Sequence, residues 1–173
     1  MAARSRTPDA SARAVEGRSW TVRLARDEDI DAVAAIEQES FGDPWPREAF
    51  HPYTGRDVAL FLVAEDTAGV AGYLVAFLVA DEAELANIAV AASARGTGVG
   101  GALLDTFLQV AAERAIASVY LEVRVSNAPA RRLYSSRGFE EVGVRQRYYR
   151  NPVENAIVLR RRLSQGPSPA PAN

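Results

Sequence analysis

The segment from Arg95 to Gly101 has the composition of a phosphate-binding loop. It contains four glycines, and it lies between an apolar segment and the start of an amphipathic one. Glycine allows the backbone to approach a ligand closely, with successive N–H groups turned toward it. A helix that begins directly after such a loop adds the positive end of its dipole. We therefore expect this loop to bind phosphate, with Arg95 adding positive charge beside a pyrophosphate.

Two other classes of phosphate-binding loop fit this segment less well. The chain lacks the Gly-Lys-Ser/Thr sequence of a P-loop. The spacing of Gly96, Gly98 and Gly101, with Glu122 about 20 residues later, does match a dinucleotide fingerprint. That fingerprint normally opens the first βαβ unit, whereas here it follows three or four predicted strands and precedes only about 70 residues. A nicotinamide-binding site is therefore the less favoured interpretation.

Glu122 is an unusual residue for its position. It lies inside a predicted strand, Val119 to Val125, whose alternation places Tyr120, Glu122 and Arg124 on the face opposite the valines. A carboxylate in an internal strand costs desolvation free energy unless it is paired or functional. Two interpretations follow: an ion pair with Arg124 or with an arginine of a neighbouring strand, or a role in proton transfer.

The elements that would position these residues form an alternating pattern. Strands are predicted at 20–25, 59–65, 70–80, 84–90, 119–125, 142–149 and 156–162, and helices at 27–41, 47–50, 101–115 and 129–137. This order predicts an α/β (α+β) fold, a mixed and largely antiparallel sheet of six or seven strands with helices on both faces. One domain spans residues 20–163, and residues 1–19 and the Pro-rich residues 164–173 are predicted to be disordered tails.

The composition narrows the functional classes. The net charge of −2 gives no basic field for nucleic acid, and the longest apolar run is too short for a membrane helix. Cysteine is absent and His51 is the single histidine, so we expect no metal site and no cysteine nucleophile. No secretory signal pattern is visible, and a cytoplasmic protein is expected.

With these residues in view, the chain resembles the GNAT superfamily of N-acetyltransferases, and in particular its ribosomal-protein-alanine N-acetyltransferase (RimI) branch. Arg95, Gly98 and Gly100 occupy the fixed positions of the [Arg/Gln]-x-x-Gly-x-[Gly/Ala] signature. The resemblance extends over Val22 to Leu159. The branch is indicated by Pro44-Trp45, Asn87-Ile88-Ala89-Val90, Tyr120-Leu121-Glu122-Val123-Arg124, Ser126-Asn127, Leu133-Tyr134, Arg137-Gly138-Phe139 and Arg147-Tyr148-Tyr149.

The resemblance implies a GNAT fold, acetyl-CoA as the acetyl donor, Glu122 as general base and Tyr134 as general acid. Without the resemblance, Tyr134 would be interpreted as a half-buried packing residue. The implied acetyl-CoA contacts are Ile88, Ala89, Val90, Arg95, Gly96, Thr97, Gly98, Val99, Gly100, Gly101 and Asn127. The family often has a basic residue where this chain has Gly101, which leaves open the residue that contacts the CoA 3′-phosphate. Glu37, Trp45 and Tyr148 are candidate contacts to the acceptor.

Three functions remain as hypotheses. The leading one is acetylation of the N-terminal alanine of a small-subunit ribosomal protein by direct attack on acetyl-CoA. An α-amino group, with a pKa near 8, is about a tenth neutral at pH 7, which suits a moderate base better than lysine does. The alternatives are acetylation of a lysine or a small amine, and a non-catalytic module that binds acyl-CoA.

Overall fold

The computed structural model describes residues 12–15, 18–55 and 59–163. Eight strands form one sheet in the order β1-β2-β3-β4-β5-β6-β8-β7. The strands are β1 Ala12–Val15, β2 Arg18–Leu24, β3 Leu60–Asp66, β4 Gly69–Val79, β5 Glu82–Val90, β6 Ser118–Arg124, β7 Glu140–Tyr149 and β8 Glu154–Arg162. The helices are α1 Ile30–Ser40, α2 Val99–Glu113 and α3 Ala128–Ser135, and short 3₁₀ helices span Asp27–Asp29, Arg47–Tyr53 and Ala92–Ala94.

The predicted fold class is confirmed, since this is a mixed and largely antiparallel sheet with helices on both faces. Neighbouring strands are antiparallel except β5 and β6. The prediction of a disordered tail over residues 1–19 is wrong for β1, which pairs Ala12 with Thr21 and Val15 with Arg18. Pairing with the edge of β2 is a tertiary interaction, and the Ala- and Arg-rich sequence carries no periodic signal for it. Residues 164–173, also predicted as a tail, lie outside the described residues.

Strand alternation divides the core into two layers. On β3, Leu60 and Leu62 lie in one apolar cluster with α2, whereas Phe61 and Val63 lie in a second cluster with α1. Successive side chains of a strand point to opposite faces, so one strand contributes side chains to both layers. The α2 layer also contains Tyr134 of α3.

The central part of the sheet splits between β5 and β6. These parallel strands pair only through Glu82 with Ser118, Ala83 with Val119 and Glu84 with Tyr120. Beyond that point β5 continues to Val90 along β4, and β6 continues to Arg124 along β8. The two strands therefore diverge toward their carboxyl ends, and an opening forms in the middle of the sheet.

A bulge on β5 alters the strand at the start of this opening. Val75 of β4 pairs with Asn87, and the next residue, Ala76, pairs with Leu85, so Ala86 is an extra residue on β5. The bulge keeps Leu85 in the α2 layer and turns Asn87 toward α1, where it donates to Glu37.

Candidate active site

The glycine loop leads directly into α2, as predicted, although α2 begins two residues earlier, at Val99. Gly96 has φ 76° and Gly98, which precedes the helix, has φ 91°, a left-handed conformation that glycine adopts without strain. The first N–H that enters the helical ladder is that of Ala102, which donates to Gly98 O at 3.0 Å. No side chain caps this end of α2, and its first turn contains no acidic residue.

This end of α2 therefore fits an anionic ligand. The N–H groups of Val99, Gly100 and Gly101 precede the first helical hydrogen bond, and the helix dipole is positive there. Thr97 is turned away from this role, because its hydroxyl donates to Ala94 O at 2.6 Å and its carbonyl accepts from Trp20 Nε1 at 3.3 Å.

Arg95 lies beside the loop but does not point at the end of α2. Its Nε donates to Val90 O at 3.1 Å and its Nη2 to Ser40 Oγ at 3.4 Å. The exposed guanidinium thus joins the end of β5 to α1. The structure places Arg95 at the rim of the opening, with its charge on the α1 side.

Ile88, Ala89 and Val90 form the β5 wall of the opening. Their pairing partners on β4 are Leu74, Tyr73 and Gly72, in that order. The other edge of this part of β5 faces the opening, since its pairing with β6 ends at Glu84. Main-chain groups on that edge are positioned to meet an extended ligand between the two strands.

Glu122 lies on β6 with the predicted orientation. Val119, Leu121 and Val123 are buried in the α2 layer, and Glu122 faces the other side with 16% of its side chain exposed. Its Oε1 lies 2.9 Å from Nε of Arg145. The sequence suggested Arg124 or a neighbouring strand as a partner, but Arg145 comes from β7, which lies beyond β8.

Arg124 has other partners. Its guanidinium forms an ion pair with Glu154 at 3.3 Å and donates to the carbonyl oxygens of Asn151 and Pro152. It also lies 4.2 Å from the centre of the Tyr149 ring. Arg124 therefore anchors the turn between β7 and β8.

Two tyrosines of β7 lie close to Glu122. Partial burial and then the Glu122 carboxylate raise the pKa of Tyr148, whose side chain is exposed. Burial, followed by the Tyr148 hydroxyl, raises the pKa of Tyr149 to about 12, and Glu122 adds to the effect. The predicted acceptor contact Tyr148 therefore lies near Glu122, the predicted base, with the Arg145 guanidinium 5.7 Å from the Tyr148 ring centre.

Tyr134 lies on α3 and is 4% exposed. Its ring packs edge-on against Phe139 at 5.7 Å between ring centres. Burial, and to a smaller extent the Tyr149 hydroxyl, raises the pKa of Tyr134. Tyr149 is thus within electrostatic reach of both Glu122 and Tyr134, which lie toward opposite layers of the sheet.

Asn127 has a structural role at the start of α3. Its Oδ1 accepts a hydrogen bond from Ala130 N at 3.2 Å and so caps the helix, with Pro129 in the first turn. The sequence Asn127-Ala128-Pro129 is typical of the start of a helix and indicated this cap. A contact with acetyl-CoA would have to come from its exposed amide nitrogen.

Glu37 is not placed as an acceptor contact. It is 1% exposed, and its carboxylate accepts from Trp45 N at 2.8 Å, from Asn87 Nδ2 at 3.0 and 3.1 Å, and from the Tyr73 hydroxyl. The prediction of direct contact is corrected here, because all of these donors belong to the chain itself. The helical spacing from Val33 placed Glu37 on the buried side of α1.

Trp45, a predicted contact to the acceptor, lies at the edge of the α1 layer. Its backbone is held by Glu37, and its half-buried ring lies 5.7 Å from Phe50 and 6.2 Å from Tyr53 between ring centres. One part of the ring therefore packs on the α1 layer, and the rest is exposed to solvent.

A sequence model of the acetyltransferase (GNAT) family matches residues 30–139. The chain belongs to the GNAT acetyltransferase family. The match covers α1, the glycine loop, Glu122 and Tyr134, and so the prediction of an acyltransferase is confirmed.

Individual relatives confirm the resemblance to the RimI branch. The chain is 37% identical over 139 residues to a putative [ribosomal protein bS18]-alanine N-acetyltransferase of Bacillus subtilis, covering 80% of this chain and 92% of the relative. An N-alpha-acetyltransferase of Sulfurisphaera tokodaii is 33% identical over 151 residues, covering 80% and 90%. The solved ribosomal-protein-S18-alanine N-acetyltransferase of Escherichia coli superposes with a TM-score of 0.78 at 33% identity, covering 85% of this acetyltransferase and 96% of that chain.

Two further observations concern the described part of this acetyltransferase. No group of three His, Asp or Glu side chains suited to a metal ion occurs there. None of the described helices is long and apolar enough to cross a membrane.

Proposed function

We propose that this acetyltransferase transfers the acetyl group of acetyl-CoA to the N-terminal alanine of a small-subunit ribosomal protein in the cytoplasm. The observation that carries the chemistry is the position of Glu122, a half-buried carboxylate on β6 where β5 and β6 diverge. The substrate class rests on the relatives, whose names give the alanine of ribosomal protein bS18 as the acceptor.

The donor would enter from the α2 side. The N–H groups at the start of α2 bind the pyrophosphate, and the free edge of β5 at Ile88, Ala89 and Val90 receives the extended pantetheine arm. Acetyl-CoA supplies the thioester. The chain holds that thioester in the opening of the sheet.

Glu122 acts as the general base. The attacking amine loses a proton as its C–N bond to the acetyl carbon forms, and Glu122 accepts this proton directly or through one water. In this structure Oε1 of Glu122 is paired with Arg145. The Arg145 guanidinium must therefore move away before Oε1 contacts the incoming amine or water.

Tyr134 acts as the general acid. The C–S bond breaks as the C–N bond forms, and the sulfur leaves with the electron pair. Because burial raises the pKa of Tyr134, the phenol remains protonated and donates its hydrogen bond or proton to the departing sulfur. No covalent enzyme intermediate is required.

The acceptor would approach from the α1 side of the opening. Tyr148 and the exposed part of Trp45 are the side chains that we propose as its contacts. An α-amino group is the favoured nucleophile, since about a tenth of it is neutral at pH 7, compared with a few parts in ten thousand for lysine.

Mass spectrometry of peptide panels tests the substrate class. Peptides that begin with alanine should be acetylated at the α-amine, and matched peptides with a blocked N-terminus and one lysine should remain unmodified. Acetylation of the lysine or of small amines with equal efficiency would replace the proposal with a broader acetyltransferase. Release of no CoA with any amine, despite binding of acetyl-CoA, would indicate a binding module.

A comparison of cells with and without the protein tests the natural substrate. The proposal predicts that one small-subunit ribosomal protein loses its N-terminal acetyl group when the protein is deleted. An unchanged set of acetylated ribosomal N-termini would contradict it.

A further inference from the structure

Gly101, in the first turn of α2, lies directly beneath the side chain of Arg137. A Cβ on Gly101 would lie 2.6 Å from Nη2 of Arg137, so the end of the Arg137 side chain would have to move away. Arg137 follows α3, so its side chain reaches from α3 across to the start of α2. The lack of a side chain at Gly101 therefore allows a guanidinium to lie against the phosphate-binding end of the helix.

The Arg137 guanidinium is fixed in this position. Its Nε donates to Asp105 Oδ1 at 2.8 Å, its Nη2 to Asp105 Oδ2 at 3.3 Å and its Nη1 to Ser136 Oγ at 2.9 Å. These bonds occupy three of the five N–H groups of an arginine. The side chain is 24% exposed, so part of the guanidinium is open to solvent.

The surroundings favour an anion at the exposed part. The first turn of α2 has no side-chain cap and no acidic residue, and the N–H groups of Val99, Gly100 and Gly101 precede the first helical hydrogen bond. Asp105 lies one turn further along α2, where its bidentate contact orients the Arg137 guanidinium. A fixed cation beside free N–H groups is the arrangement that proteins use to bind phosphate.

We infer that Arg137 binds a phosphate group of the CoA moiety, together with the N–H groups of the first turn of α2. This inference rests on the proposed function, in which acetyl-CoA is the donor. The alternative is that the pair of Arg137 and Asp105 only ties α3 to α2.

Direct binding of CoA by calorimetry tests the inference without relying on turnover. Arg137→Gln should weaken CoA binding about tenfold or more, because a charge-assisted contact is lost. Arg137→Lys, which keeps the charge, should recover part of this loss. Arg132→Gln, an equal change of charge at an exposed position on α3, should leave the affinity within about twofold of wild type.

Asp105→Asn separates phosphate binding from a structural tie. It removes the carboxylate that orients Arg137 but retains the guanidinium, so the loss of CoA affinity should be clearly smaller than that of Arg137→Gln. A loss as large as that of Arg137→Gln would overturn the inference. So would an Arg137→Gln variant that binds CoA as tightly as wild type. The melting temperatures of Arg137→Gln and Asp105→Asn measure how much the ion pair between Arg137 and Asp105 stabilises the fold.

A second ligand, 3′-dephospho-CoA, identifies the phosphate. If Arg137→Gln weakens binding of CoA but not of 3′-dephospho-CoA, the contact is with the 3′-phosphate. An equal loss for both ligands places it on the pyrophosphate, and either result supports the inference. Failure of the wild-type protein to bind CoA would instead contradict the proposed function, and the inference with it.

Discussion

At the scale of single residues, the proposed chemistry rests on two groups with different surroundings. Glu122 is partly exposed, and its Oε1 lies 2.9 Å from Nε of Arg145. Tyr134 is almost completely buried, and its raised pKa keeps it protonated. The proposed base and the proposed acid thus lie toward opposite layers of one sheet, with Tyr149 near both.

Conservative replacement of these two groups should separate chemistry from binding. We expect Glu122→Gln and Tyr134→Phe each to lower kcat by about 100-fold or more, because general base or acid catalysis is lost. The dissociation constant of acetyl-CoA should remain within about twofold of the wild-type value, as measured by calorimetry. Wild-type turnover in both variants would reject the assignment of base and acid.

The raised pKa of Tyr134 also predicts the alkaline behaviour of the enzyme. The activity should rise from pH 6 to about 8 as the α-amine of a peptide loses its proton. Because the pKa of the acid is raised above the usual value of about 10, no fall due to Tyr134 should occur up to pH 9. Initial rates with a peptide substrate measure this, and a fall below pH 9 in wild type that is absent in Tyr134→Phe would contradict it.

At the scale of elements, Glu37 connects α1, β4, β5 and the loop that carries Trp45. Its carboxylate accepts from Tyr73, Asn87 and the Trp45 backbone while 1% exposed. The bulge at Ala86 turns Asn87 toward this carboxylate. One buried group therefore determines where the Trp45 loop lies relative to the opening.

Loss of the Glu37 carboxylate should weaken binding of the acceptor peptide more than binding of acetyl-CoA. Glu37→Gln replaces one acceptor oxygen by a donor, which leaves a buried N–H or hydroxyl unsatisfied at a cost of about 1–3 kcal/mol. We expect a higher KM for peptide, an unchanged KM for acetyl-CoA, and a lower melting temperature. Glu48→Gln, at an exposed position, is the matched control. A selective rise in the KM for acetyl-CoA would place Glu37 on the donor side instead.

At the scale of the whole molecule, Arg23 joins the first strands to the start of α1. From β2 it contacts Asp29 at 2.7 Å and Glu65 of β3 at 2.6 Å. Burial opposes ionisation of Asp29, but hydrogen bonds from the Arg23 guanidinium and the Arg26 backbone N–H lower its pKa. The hydrogen bond from Arg23 likewise lowers the pKa of Glu65.

These lowered pKa values predict the acid sensitivity of the fold. A carboxyl group with a lower pKa in the folded state stabilises that state above its unfolded pKa, about 4, and the contribution is lost as the pH falls through the folded pKa. Arg23→Gln should therefore cost about 2 kcal/mol at pH 7 and clearly less at pH 3. Urea unfolding at both pH values measures this, and an equal cost at both would exclude an electrostatic origin.

Local sequence patterns were sufficient for part of this description. The glycines before α2, the alternation around Glu122 and the apolar spacing of α1 each depend on neighbours within a few residues. Such patterns determine where strands and helices form and which face each side chain takes. The order of these elements predicted the fold class, and the resemblance to the GNAT superfamily predicted the family; the sheet order and the match over residues 30–139 confirm both.

Contacts between distant segments were decided only by the tertiary structure. The pairing of Glu122 with Arg145 spans an intervening strand, and Arg137 reaches Gly101 from the segment that follows α3. The divergence of β5 from β6 and the addition of β1 likewise depend on pairing between strands. Such contacts depend on how strands and helices pack together. The spacing of residues along the sequence does not show which distant segments pack against each other.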